Sequence, residues 1–100
     1  MLEVLREGRR DEFKGLLRNQ QETVVDAAFE EASREERLEF LRLMPVERAV
    51  SAYTDLPLAA QANYLSDLPA DRLRLMGAYF GPDEIADILG ELSEIGRAHV

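Results

Sequence analysis

Two aspartates near the carboxyl end of the chain have the spacing best suited to binding chemistry. Asp83 and Asp87 lie four residues apart, which puts both carboxylates on one side of a helix. Without compensation, such a like-charge pair destabilises a helix by roughly 0.2–0.5 kcal/mol. A bound divalent cation would reverse that effect, and Mg²⁺ suits one or two carboxylates because it keeps several of its waters. Alternatively, Asp83 and Glu84 simply complement the helix dipole and Asp87 is an ordinary exposed acid.

Catalytic chemistry has little support in this sequence. There is no cysteine, and His99 is the only histidine, so the usual nucleophile and base pairs are missing. Gly77, Gly81 and Gly90 do not have the spacing of a phosphate-binding loop. We therefore expect no catalytic residue and no enzymatic activity.

Charge is distributed unevenly along the chain. The formal net charge is −8, yet residues 1–18 alone carry +1 and the rest carries −9. Arg10, Lys14 and Arg18 form a basic stripe on one side of a helix, which we interpret as a solvated face. The acidic remainder would repel nucleic acid and attract cations or a basic protein surface.

No apolar run approaches the length of about 18 residues that a membrane-spanning helix requires. This segment is therefore not expected to insert into a membrane.

A strict twelve-residue spacing organises most of the chain and positions the two aspartates. The residues at this spacing are Ser33, Pro45, Pro57, Pro69 and Gly81, and we call them the rungs of a twelve-residue ladder. Proline fixes φ and lacks an N–H, so it is typical of the start of a helix rather than its interior. Each unit is predicted to be one short helix of about ten residues, roughly 15 Å long.

Within each unit the apolar positions recur, which predicts a common buried stripe. With the rung as position one, positions eight, nine and twelve are apolar or glycine: Phe40, Ala52, Tyr64, Met76 and Ile88; Leu41, Tyr53, Leu65, Gly77 and Leu89; Met44, Leu56, Leu68, Phe80 and Leu92. Because one such helix cannot bury its stripe alone, the units must stack. The prediction is an all-α superhelix with a twelve-residue repeat, whose aromatic residues lie mostly in the core.

Two shorter helices precede this ladder. Gly8 is predicted to end the first, and Asp11 to cap the second. Capping-box patterns occur at Asn19 with Glu22 and at Ser33 with Glu36.

The last seven residues break the pattern. The sequence of a common sequencing adapter, read with one preceding G, translates as Glu-Ile-Gly-Arg-Ala-His-Val, which is the order of residues 94–100. We therefore interpret residues 1–93 as the domain and residues 94–100 as adapter read-through on a truncated reading frame. On this hypothesis His99 takes no part in function, and the natural protein continues beyond this point.

Three segments together resemble one family of membrane transport proteins. They are FLRLMPVERA (40–49), AQANYLSDLPADRL (60–73) and DEIADIL (83–89), and the opening LEVLREG (2–8) is similar as well. Over residues 2–92 the chain resembles the cytoplasmic N-terminal domain of the MgtE magnesium transporters. The resemblance implies a right-handed superhelix that precedes a pair of CBS domains and a transmembrane pore, at the cytoplasmic face of a bacterial or archaeal plasma membrane. It also implies dimerisation of the full protein.

The resemblance further implies that the domain senses Mg²⁺. Ions bridge acidic residues of the N and CBS domains and hold a closed state, and their loss lets the domains separate. The family's acidic ligands on the last helix fall here on Asp83 and Asp87. Another acidic position of the family falls on Ser51, a weak ligand for Mg²⁺, and Glu47 lies one turn earlier.

A second interpretation remains open at this point. Short helical repeats of this kind also resemble those of the flagellar motor switch protein FliG, which would make the chain a protein-interaction module. The two interpretations predict different sequence beyond Leu92: CBS domains and hydrophobic spans for a transporter, further soluble helices for a motor protein.

Overall fold

All regular structure in the described residues is helical, as predicted. The computed structural model describes the backbone of residues 1–98 and the side chains of residues 1–91. The helices, in chain order, are α1 (Leu2–Arg6), α2 (Arg10–Asn19), α3 (Glu22–Glu31), α4 (Arg34–Leu43), α5 (Val46–Thr54), α6 (Leu58–Leu65), α7 (Ala70–Gly77) and α8 (Pro82–Ala98). His99 lies outside the described residues, and the adapter origin of residues 94–100 stays a prediction.

Each rung of the twelve-residue ladder comes directly before the first residue of a helix. Helices α4 to α8 begin at residues 34, 46, 58, 70 and 82, one residue after each rung. The carbonyl of each rung accepts the first backbone hydrogen bond of its helix, for example from Ala49 N to Pro45 O at 2.9 Å. Because this position needs an acceptor and an extended backbone, proline serves there without loss of a helical donor.

Two of the predicted helix ends are present. At Ser33 the capping box is complete: Glu36 N donates to Ser33 Oγ at 3.2 Å, and Ser33 N donates to Glu36 Oε1 at 2.9 Å. Gly8 follows α1 with φ of +79°, a conformation that favours glycine. There Gly8 N donates to Leu5 O and Arg9 N donates to Val4 O, which is the Schellman arrangement.

Two other predicted caps were wrong. Arg9 occupies the cap position of α2, so Asp11 lies inside the first turn. The reason is that Arg10 N already donates to Gly8 O, and α2 therefore begins as soon as the glycine turn ends. Asn19 is the last residue of α2, and the cap of α3 is Gln21, which makes no side-chain cap hydrogen bond.

The core follows the predicted stripe along most of the ladder. Phe40, Leu41, Tyr53 and Met76 have no exposed surface. The Phe40 ring packs edge-on against Phe13 and Phe29, with centroids 5.0 and 5.7 Å apart.

The stripe fails at its last described member, because Leu89 is 55% exposed. Some helices pack on the second helix along the chain, as α2 does on α4, α5 on α7 and α6 on α8, while α4 also packs on its sequence neighbours α3 and α5. In the described part of the chain no later helix lies over α8. Tyr79 is another exception to the buried aromatic set, at 53% exposure.

Arginine side chains join helices that are distant along the chain. Arg48 donates to Leu17 O and Gln20 O at the end of α2, which lie 31 and 28 residues back. Arg72 repeats the same offsets, donating to Leu41 O and Met44 O at the end of α4. Both arginines occupy position four of their units. This side-chain hydrogen bonding to the carbonyls at the end of another helix, which we call a brace, therefore recurs every 24 residues.

The intervening units carry a complementary brace at position five. Arg37 donates to Phe29 O and Glu30 O at the end of α3. Gln61 donates to Thr54 O and Leu56 O at the end of α5. The side chains therefore alternate between bracing the preceding helix and bracing the helix three back, and the structural repeat is a pair of helices.

Removing the Arg72 brace should destabilise the domain. We expect Arg72→Met to lower the free energy of unfolding by about 2 kcal/mol, because it leaves two partly buried carbonyls without a donor. Urea unfolding followed by circular dichroism measures the change. Arg74→Met is the matched control, since Arg74 is exposed on the same helix, and it should change stability by less than about 0.5 kcal/mol. Equal effects of the two substitutions would contradict the bracing role.

Acid sensitivity should depend on Glu36. Its hydrogen bond with Arg6, and then that with Ser33, lower the pKa of this carboxyl from 4.5 to about 2. A lowered folded-state pKa gives stability that is present above the ordinary pKa and is lost as pH falls from about 4.5 to about 2.

Glu36→Gln can keep the capping box but cannot ionise, so we expect a flatter stability profile across that range. Thermal melts between pH 7 and pH 2 provide the test, with Glu35→Gln as the control that retains the slope. An unchanged slope in Glu36→Gln would refute the assignment.

Candidate functional site

The first two turns of α8 present the acidic side chains that the sequence singles out. Asp83 and Glu84 lie in the first turn, where acids complement the helix dipole. Asp87 lies one turn further, and all three residues are exposed. The rung at Gly81 starts the helix, since Ile85 N donates to Gly81 O at 3.2 Å. The helix start at the Gly81 rung therefore determines the positions of these three acids on α8.

The structure brings Asp87 together with Glu84 at a cleft of about 280 Å³. Its other lining residues come from α5, from α6 and from the link between these helices: Thr54, Leu56, Leu58 and Gln61. Asp83 is not among the lining residues. Metal binding by Asp83 and Asp87 stays a prediction, and Glu84 is the acid that helical spacing did not select.

No arginine or lysine among the described side chains forms an ion pair with Asp83, Glu84 or Asp87. Several acids in the amino-terminal half, in contrast, form ion pairs. Glu36 pairs with Arg6 at 2.7 Å, and Glu39 pairs with Arg10 at 2.8 Å. The negative charge at the start of α8 is therefore left to solvent or to a ligand.

One buried amide faces the same cleft. Gln61 is 6% exposed, and its Nε2 donates to Thr54 O at 3.2 Å and to Leu56 O at 2.7 Å. Tyr53 Oη donates to the backbone oxygen of Gln61 at 2.5 Å, and burial raises the pKa of Tyr53 to about 12. These bonds hold α6 against the end of α5 and fix the orientation of the Gln61 side chain.

The donor set around this cleft fits a hard divalent cation. Carboxylate and amide oxygens are the ligands that Mg²⁺ and Ca²⁺ prefer. Within the described residues, however, no three acidic or histidine side chains cluster closely enough to hold an ion. An ion would need the amide oxygen, water or a second protein surface to complete its shell.

Ser51 lies at a different cleft, of about 230 Å³, between α3 and α5. Three acids line it: Glu22, Asp26 and Asp55. Glu47 is exposed but does not line this cleft. Arg48, which also lines it, is held by the carbonyls at the end of α2. Three acids therefore share this cleft with Ser51, whereas Glu47 lies one turn earlier on α5, outside the lining.

Fold and site together define a small helical-repeat domain with an acidic edge. Within the described residues, no helix is both long enough and apolar enough to cross a membrane.

A family model described as the MgtE intracellular N domain matches residues 20–100. The chain belongs to this family, as the sequence resemblance indicated, and is thus a regulatory domain of magnesium transporters rather than a member of an enzyme family. The match begins after α2. Neither the curated proteins nor the solved structures gave a significant match.

Proposed function

We propose that this chain senses intracellular Mg²⁺ for a magnesium transporter, through acidic residues that the ion bridges to a neighbouring CBS domain. The supporting observation is the group Asp83, Glu84 and Asp87, which has no ion-pair partner among the described side chains in a domain of the MgtE family. Asp83 and Asp87 are the proposed bridging residues. The partner is a CBS domain of the same transporter chain. That transporter also contains the transmembrane pore and forms a homodimer. The sensing domain lies at the cytoplasmic face of a bacterial or archaeal plasma membrane.

Electrostatics supplies the switching mechanism. Two unit charges of like sign at 4 Å repel by roughly 4 kcal/mol at an effective dielectric constant near 20, before screening by salt. A divalent ion between two acidic surfaces converts this repulsion into attraction. It shifts the equilibrium only by its differential affinity for the docked and separated states. Docking of the two domains therefore becomes a function of Mg²⁺ concentration.

The isolated chain should bind Mg²⁺ only weakly, because it supplies part of each coordination shell. We expect a dissociation constant on the order of 1 mM or weaker, measured by calorimetry at fixed ionic strength. A micromolar isotherm for the chain alone would argue against a site shared between domains.

In the transporter that carries this domain, Mg²⁺ should protect the link between the N and CBS domains from trypsin. We expect Asp83→Asn with Asp87→Asn to raise the Mg²⁺ concentration needed for protection by about tenfold or more, since two bridging charges are lost. The matched control is Glu3→Gln with Asp11→Asn, which removes two exposed acids from first helical turns elsewhere. Protection that is independent of Mg²⁺, or equally altered in both variants, would contradict the proposal.

A further inference from the structure

An apolar groove lies where α6, α7 and α8 meet. It has a volume of about 160 Å³, and the residues that line it include Leu65, Leu73, Phe80, Ile85, Ile88 and Leu89. Ile85 and Leu89 expose 41% and 55% of their surface. Contiguous exposed apolar surface of this kind marks a place where another protein segment packs. The question is which segment that is.

One leucine position becomes more exposed along the chain. Leu17, Leu41, Leu65 and Leu89 are spaced by 24 residues, which is one pair of units. Leu17 and Leu41 have no exposed surface, Leu65 is half-buried, and Leu89 is 55% exposed. Because these residues are equivalent in the repeat, the difference arises from the helices that cover the first two positions and, within the described residues, are missing over the last two.

The equivalent surface one pair of units earlier is covered by α7. The residues 24 positions before the groove residues are all buried or half-buried: Leu41, Ala49, Leu56, Gln61, Tyr64 and Leu65. There α7 packs on α5, its Met76 side chain has no exposed surface, and its Arg72 side chain reaches the end of α4. The groove at α8 therefore has the lining of a surface that a helix covers elsewhere in the same domain.

The end of α6 lacks the brace that the ends of α2 and α4 receive. Arg48 and Arg72 each donate to two carbonyls, 31 and 28 residues back. The same offsets from position 96 lead to Leu65 O and Leu68 O. Among the described side chains, none donates to either of these carbonyls. A donor at position 96 would complete the series.

We propose that the groove is the docking site of a further helix, the next twelve-residue unit of the same protein. The ladder puts the rung of this unit at Ser93, and serine is a favoured cap residue. The helix would then begin at position 94, as α7 begins at Ala70. Its chemistry follows from the repeat: an arginine at position 96 and apolar residues at positions 97 and 100, corresponding to Arg72, Leu73 and Met76.

Residues 94–100 of this chain do not have that pattern. Gly96 and Arg97 stand where the repeat requires an arginine and an apolar residue. The backbone of α8 continues past Ser93 to Ala98 and is 17 residues long, whereas α4 to α7 have eight to ten residues each. This mismatch agrees with our hypothesis that residues 94–100 are adapter read-through. The proposed occupant is therefore the segment that follows Ser93 in the natural protein.

The groove lies on the side of α8 away from Asp83 and Asp87. At about 100° per residue, the mean direction of Ile85, Ile88 and Leu89 is nearly opposite to that of the two aspartates. A helix in the groove therefore leaves both aspartates exposed and holds α8 from its other side. The inference does not depend on the proposed Mg²⁺-sensing function.

The test replaces residues 94–100 with a copy of residues 70–80, which brings Arg72, Leu73 and Met76 to positions 96, 97 and 100. We expect the midpoint of thermal unfolding to rise by about 5 °C or more, because the copied helix and the groove bury apolar surface together. The control graft has Met in place of the copied Arg72 and Ser in place of the copied Leu73 and Met76. Its midpoint should rise by less than about 2 °C.

Thiol labelling reports whether the copied helix lies in the groove. The chain has no cysteine, so Leu89→Cys introduces a single thiol there. Val24→Cys is the matched control, since Val24 is 43% exposed and lies on α3, outside the groove. We expect the graft to slow labelling at Leu89→Cys by about tenfold and to change labelling at Val24→Cys by less than about twofold, because only the covered thiol is protected.

Equal midpoints of the graft and its control would overturn the proposal, as would unchanged labelling at Leu89→Cys. The sequence of the source locus beyond Ser93 provides a second test. Arginine at position 96 with apolar residues at 97 and 100 would support the proposal, and any other pattern at these positions would contradict it. If a second copy of the chain fills the groove instead, the unaltered chain will sediment as a dimer that Leu89→Glu dissociates, and the proposal is then wrong.

Discussion

The carbonyls at the ends of short helices are the constraint on which this structure depends. Every α-helix leaves its last carbonyls without an intrahelical donor, and here such an end recurs about every twelve residues. Arg37, Arg48, Gln61 and Arg72 supply donors to four of these ends. Because each donor comes from a different helix, the same bonds that satisfy the carbonyls also hold neighbouring units in register. The same packing of the helices therefore both buries the apolar stripe and caps the helix ends.

Local sequence signals predicted the helix starts and much of the core. The rungs from Ser33 to Gly81 predicted five helix starts at the correct residues, since proline and capping residues act within one turn. The predictions for Asp11 and Asn19 were wrong because a cap residue acts only where the chain enters a helix: the turn at Gly8 starts α2 before Asp11, and α2 continues through Asn19 so that Gln21 is the cap of α3. The braces could not be predicted, because the sequence does not say which carbonyl an arginine reaches 31 residues away.

The candidate site was likewise predictable from sequence only where its residues belong to one helix. Helical spacing alone predicted that Asp83 and Asp87 share a side of α8, and the helix is present. Glu84 and Gln61 were not selected, because their relation depends on the packing of α6 against α8. No spacing rule covers two helices that are separated by a third. Residues of one helix can be grouped from sequence, whereas a cleft between helices requires the packing of those helices to be known first.

The distribution of ion pairs connects the fold to the proposed function. Glu36 and Glu39 are paired with arginines of α1 and α2, so charge in the amino-terminal half contributes to packing between helices. Asp83, Glu84 and Asp87 of α8 have no such partner among the described side chains. A charge that is already paired responds little to an added cation, because the cation must displace the existing partner. The unpaired acids at the start of α8 are therefore among the charges whose interaction energy Mg²⁺ can change most.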